Sequence, residues 1–97
     1  MVIWSQPAKA DLRAIHNYIA RNSRYYAKKV TQDIREKADI LERLPKVERK
    51  VPELNDEHVR EELSSYSYRI IYEVKGHGLF ILAVVHKRQD LKAKDIE

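Results

Sequence analysis

Val59-Arg-Glu-Glu-Leu-Ser-Ser-Tyr-Ser-Tyr-Arg-Ile-Ile-Tyr-Glu-Val74, continued by Leu79–Leu91, is the stretch that decides the fold. It contains three β-prone runs, Val59–Leu63, Tyr68–Val74 and Leu79–His86. Lys75-Gly-His-Gly78 reads as a hairpin turn, with glycines where positive φ is wanted, and Ser64-Ser-Tyr-Ser67 as a looser one. Side chains alternate faces along a strand, so Tyr68, Ile70, Tyr72 and Val74 point at a core while Arg69, Ile71 and Glu73 point away. Arg69 is then a permanent cation among apolar neighbours, which implies that one sheet face is open. Its planar five-donor fork suits a phosphate or a carboxylate.

Outward from these strands, the N-terminal half reads as helical. Val2-Ile-Trp4 is one more short strand; Ser5 then supplies an N-cap and Pro7 fits a first helical turn. Ala8, Leu12, Ile15 and Ile19 form an apolar stripe at spacings of three and four, leaving Lys9, Asp11, Arg13 and Asn17 to solvent. Asn22-Ser23 interrupts the pattern and caps a second helix from about Arg24 to Leu44. Its stripe is Ala27, Val30, Ile34, Ala38 and Leu41, with Tyr26 and Leu44 at the margins, and Pro45 ends it. Lys46–His58 is a polar loop carrying Arg49 and Lys50. The order β-α-α-β-β-β predicts an α+β fold in a single domain over residues 1–97, a helical hairpin packed on one face of a small, mainly antiparallel sheet.

Composition narrows the class of function. The chain has 97 residues, 43% of them apolar, and no cysteine, so a disulfide framework and a thiolate metal site are excluded. No run approaches the roughly 18–20 apolar residues of a membrane span. The N-terminus lacks the apolar centre of a signal peptide, and a cytoplasmic protein is expected. Nineteen Lys and Arg against fifteen Asp and Glu give a net charge of +4. That balance favours an anionic partner, nucleic acid or an acidic protein segment.

The candidate contacts for such a partner are Arg49, Lys50, Arg60, Arg69, Lys87 and Arg88, converging on one side of the sheet if neighbouring strands run antiparallel. The competing reading is a solvated rim whose charges pair with Glu61, Glu62 and Glu73, each exposed pair contributing only about 0–1 kcal/mol. His86 ends an apolar strand and has the proton-transfer chemistry of a general base, its ordinary pKa of about 6.5 lying near working pH. A strand-end histidine that only hydrogen-bonds a neighbour is the plainer alternative. Tyr68 and Tyr72 fit core positions better than base-stacking ones, and Tyr66 fits either. His16, His58 and His77 show no metal spacing, so no metal, cofactor or small-molecule ligand is expected.

Taken in order, Ala8-Lys-Ala-Asp-Leu12, Tyr18-Ile-Ala20, Val51-Pro-Glu-Leu54, Val59-Arg-Glu, Tyr68-Arg-Ile-Ile-Tyr72 and His86-Lys-Arg-Gln-Asp-Leu91 resemble the RelE/ParE toxins of type II toxin–antitoxin modules. The likeness runs from Ile3 to about Leu91. It implies the same β-α-α-β-β-β fold and a growth-arresting toxin neutralised by a cognate antitoxin, often acidic and partly disordered. Its target is implied to be either the ribosome with its mRNA, as in RelE-like endoribonucleases, or DNA gyrase, as in ParE-like members. Carried over residue by residue, the RNase strand arginine falls on Arg69. The two upstream lysines fall on Arg60 and Glu62, and the later arginine near Lys87 or Arg88. The C-terminal tyrosine has no counterpart, so an RNase would need Arg69, Arg60 and His86 as its catalytic set. The reversed charge at Glu62, the missing tyrosine and the ParE-like closing motif favour gyrase inhibition. Ribosome-dependent mRNA cleavage is the alternative, and a non-toxic nucleic-acid-binding or interaction domain the second.

Overall fold

The computed structural model describes residues 1–43, 49–54, 58–64, 66–76, 78–89 and 91. Its elements are β1 (Val2–Trp4), α1 (Gln6–Ala20), α2 (Arg24–Leu41), β2 (Arg49–Lys50), β3 (Val59–Leu63), β4 (Tyr68–Lys75) and β5 (Gly78–His86). Both helices start where their caps require. The Ser5 hydroxyl accepts from Ala8 N at 3.1 Å and the Ser23 hydroxyl from Tyr26 N at 3.0 Å, each satisfying a donor that the first turn leaves without a partner. Leu44 and Pro45, expected to close α2, lie outside the described residues.

The strands form one sheet in the order β1-β5-β4-β3-β2, antiparallel except for the parallel β1–β5 pair. Arg49–Lys50 departs from the expected loop: this two-residue strand pairs with Glu61 and Arg60 and adds an edge to the sheet. In the hairpin joining β4 to β5, Gly76 has φ +55°, a conformation that costs other residues strain. Gly78 already belongs to β5 opposite Lys75, and His77 lies outside the described residues.

The apolar stripes meet as their periods dictate. Ala8, Leu12, Val30, Ile34, Ala38 and Leu41 pack against Ile70, Tyr72, Leu79, Ile81 and Val84 in the core between helices and sheet. Tyr72 is fully buried and Tyr68 packs at the margin, as their strand positions imply. The opposite face is not open. Val59, Ile71, Ala83 and Val85 form a second core there, covered by Val51, Leu54 and Leu91. The expectation of a bare face fails because Ile71, Ala83 and Val85 put apolar area on that side too, and the chain before β3 and after β5 folds over it.

A β-bulge fixes the register that places the site. Ile71 pairs with Ala83 but Tyr72 with Ile81, so Leu82 has no opposite number. Beyond Trp4, β5 has no strand on its outer side among the described residues, and side chains satisfy its backbone instead. Ser5 Oγ donates to Leu82 O at 3.1 Å, and Asp11 Oδ2 accepts from Val84 N at 2.9 Å. Asp11 was expected in solvent; the unpaired strand edge draws it inward.

Candidate functional site

Register separates the residues expected to converge. Directly opposed residues of an antiparallel pair share a face. Arg60 opposes Tyr72, and His86 opposes Tyr68, so both stand on the helix side of the sheet. Arg69 opposes Leu63 and Val85, on the other side. Arg69, Lys87 and Arg88 do come together, lining a cleft of about 390 Å³ with Pro52, Glu53, Glu61 and Gln89. Lys50 is exposed on the edge strand opposite Arg60. Arg49 opposes Glu61 in register, and its side chain lies outside the described residues.

Arg69 is only 4% exposed, and its fork is already engaged. Nε donates to Glu61 Oε1 at 3.2 Å, while Nη2 donates to Glu61 Oε1 and Glu53 Oε1, both at 2.7 Å. Nη1 donates to Glu53 Oε2 at 2.6 Å and to the Gln89 carbonyl at 3.0 Å. These bonds occupy all the N–H donors that a guanidinium has. No donor is left in this arrangement for a phosphate, which corrects the picture of a fork waiting on an open face. The acceptor is internal: two carboxylates, one of them, on Glu61, without solvent exposure.

This arrangement ties three segments together. Glu53 sits in the turn after β2, Glu61 on β3, and Gln89 in the turn after β5. Glu53 Oε2 also accepts from Leu91 N at 3.0 Å, pinning the chain that follows β5. The Arg69 hydrogen bonds hold the Glu53 carboxyl down at a pKa of about 2, against the opposing effect of burial. The same pairing, with Glu53 first and Glu61 second, raises the Arg69 pKa. Arg69 therefore fixes the position of the Lys87–Gln89 turn.

His86 has a structural partner as well. Its Nδ1 accepts from Arg88 N at 3.2 Å, and its ring stands edge-on to Tyr68 with centroids 5.8 Å apart. It helps to shape the turn that presents Lys87 and Arg88, both exposed. The three residues that an RNase reading would need thus lie on two faces of the sheet. Among the described residues, no group of His, Asp or Glu is placed to hold a metal ion, and no helix is long and apolar enough to cross a membrane.

A larger groove went unnoticed in the sequence. It holds about 1260 Å³ between β1 and the outer flanks of α1 and α2. Ile3, Trp4 and Leu12 give it apolar walls, and Lys9, Arg13, Arg24, Lys28 and Arg35 line it with positive charge. No carboxylate is among its described lining residues. The signal available was the row Arg24, Lys28, Thr31, Arg35, which recurs at helical spacing on one flank of α2.

A helical hairpin across a mixed sheet, with a cationic groove on one flank and a locked arginine on the far face, defines the chain as a small α+β domain. The family model of the ParE toxin of the type II toxin–antitoxin system, parDE, matches residues 2–91, and the chain belongs to this family. It is similar to a solved structure described as the chromosomal ParDE TA system from P. aeruginosa. That match has 26% sequence identity and a TM-score of 0.73, covering 88% of this chain and 92% of the other. Among curated proteins, none matched the sequence.

Proposed function

We propose that this chain is the toxin of a parDE pair, that it arrests growth by inhibiting DNA gyrase, and that an acidic segment of a cognate antitoxin neutralises it. The observation that carries the reading against mRNA cleavage is the state of Arg69. A catalytic guanidinium must stabilise charge that develops in the transition state. Here all its donors are committed to Glu53, Glu61 and Gln89. Arg60 and His86 stand on the opposite face of the sheet from it.

The exposed cations Lys50, Lys87 and Arg88, with half-buried Arg60, are the proposed target contacts, and Arg69 acts by positioning the turn that carries two of them. The groove beside β1 is the proposed antitoxin site. Its apolar walls and five cations complement an acidic amphipathic segment, and β1 is an edge strand whose outer side no strand pairs with among the described residues.

The test is induced expression with parallel readings of gyrase supercoiling and of mRNA 5′ ends. Loss of supercoiling and accumulation of DNA cleavage complexes, with mRNA intact, is the expected result. New mRNA ends with unaffected supercoiling would overturn the gyrase reading. Unimpaired growth in the absence of any antitoxin would overturn the toxin reading as a whole.

A further inference from the structure

We propose that the tyrosine face near the tip of the helical hairpin, Tyr18, Tyr25, Tyr26 and Tyr66 with Lys29 and the Lys87–Arg88 turn, binds single-stranded nucleic acid. Tyr18 is 68% exposed, Tyr25 70% and Tyr26 47%, an unusual concentration of bare aromatic rings on a small surface. Two contacts tie parts of this surface together. Tyr26 meets Tyr66 edge-on with centroids 5.5 Å apart, and Lys29 Nζ stands 5.4 Å from the centre of the Tyr25 ring. Burial, then proximity to Tyr18 and Tyr26, raises the Tyr68 hydroxyl, which places Tyr68 in the same neighbourhood.

Lys29 is the cation in contact with this group, and the Lys87–Arg88 turn, which also lines the Arg69 cleft, borders it through its backbone. Lys87 N donates to Ser67 O at 2.9 Å, joining the Lys87–Arg88 turn to the segment between Tyr66 and Tyr68. Ser67 has φ +70°, and the Ser64 hydroxyl accepts from both Tyr66 N and Tyr68 N. Exposed phenol rings stack on bases of any sequence, while interleaved ammonium and guanidinium groups meet the phosphates between them. A duplex offers no free base faces. The fit is therefore to an unpaired strand.

This face is separate from the groove beside β1. At about 100° per residue, Arg24, Lys28 and Arg35 lie within about 40° of one another around α2; Tyr26 lies about 160–180° from them and Tyr25, nearest Lys28, about 60–100°. Failure of the antitoxin assignment and failure of this proposal are thus distinguishable.

The experiment is fluorescence anisotropy of a short fluorescein-labelled oligo(dT) titrated with the full chain at about 50 and 200 mM salt. Saturable binding is expected, with a log–log salt slope of about −0.7 from Lys29 alone, steepening to about −2 if the bordering Lys87 and Arg88 side chains also meet phosphates. Tyr25→Ala should weaken binding about ten-fold and Tyr25→Phe should leave it intact, because stacking needs the ring and not the hydroxyl. Lys29→Ala should reduce the salt slope by about 0.7. The same label on a duplex should bind more weakly and be indifferent to Tyr25. Tyr18 and Tyr25 are exposed enough for their alanine variants to stay folded, which circular dichroism checks. Absence of binding at low salt overturns the proposal. So does binding that survives Tyr18→Ala and Tyr25→Ala, or binding lost only with Arg13→Ala and Arg35→Ala in the groove. Tyrosine variants that abolish growth arrest while leaving oligo(dT) binding intact would assign the face to a protein partner and overturn it too.

Discussion

Removing Arg69 strips one cation from two carboxylates, and the geometry sets what that costs. Glu61 has no exposed side-chain area, so Arg69→Leu would leave an uncompensated acid in the outer core. Breaking a buried pair from one side typically costs about 3–5 kcal/mol, and urea unfolding should show a loss of that size. Replacing Arg69 and Glu61 together by apolar residues should recover much of it, since the stranded charge is then gone. Loss of toxicity in Arg69→Leu alone would therefore report folding and turn position. Acid should loosen the same tie. The Glu53 carboxyl is held at about 2 in the fold against an ordinary 4.5, so its stabilisation is complete above about pH 4.5 and disappears as pH falls towards 2. With its partly exposed turn screened by solvent, the contribution is on the order of 1–2 kcal/mol. Unfolding midpoints between pH 5 and 2.5 or so should fall less steeply in Glu53→Gln than in the parent chain. At this scale the oddity of Arg69 was legible in the sequence, but its partners were only half so. Glu61 was available as a pairing acid; Glu53 was not, because it reaches Arg69 through a turn whose course no local pattern specifies.

Helices and strands were legible where their hydrophobic period is long enough to be unambiguous. Ala8 to Ile19 and Ala27 to Leu41 repeat at three and four, and Ser5 and Ser23 mark their starts. Two features were not. Arg49–Lys50 is too short to carry a period, and it becomes a strand only because β3 lies beside it. Which face Arg60 shares depends on the register across Ser64–Ser67, and a slip of one residue would exchange the faces. Turn chemistry alone does not fix that register, so Arg60 and Arg69 were placed together when the pairing puts them apart. The bulge at Leu82 carries a testable consequence on the same footing. Asp11 accepts from Val84 N, a backbone donor that no strand among the described residues reaches. Asp11→Ala should leave it unsatisfied and cost about 1–3 kcal/mol, whereas Asp11→Asn keeps an acceptor and should cost clearly less. Thermal unfolding of the two variants side by side distinguishes this edge clasp from a merely solvated acid.

At the scale of the whole molecule, positive charge is gathered on the groove flank while the far face spends its buried cation on internal acids. A net charge of +4 is modest, but its effect on a partner depends on where the unneutralised part lies. Lys9, Arg13, Arg24, Lys28 and Arg35 surround a concavity whose apolar wall includes Trp4, the chain's single tryptophan. An acidic segment entering there would exclude water from that indole and sit against the cations in one step. Titrating the toxin with such a segment of its antitoxin should shift Trp4 emission to shorter wavelength. Affinity should fall as salt rises towards the range where the Debye length shrinks below about 8 Å. Arg13→Glu with Lys28→Glu reverses charge on both helices without touching the apolar wall. That variant should bind at least about ten-fold more weakly, mainly through a slower association rate, and lose most of its salt dependence. An emission shift of unchanged midpoint in this variant would mean that these cations do not hold the antitoxin segment, and absence of any shift on a binding antitoxin would mean that it docks elsewhere on the fold.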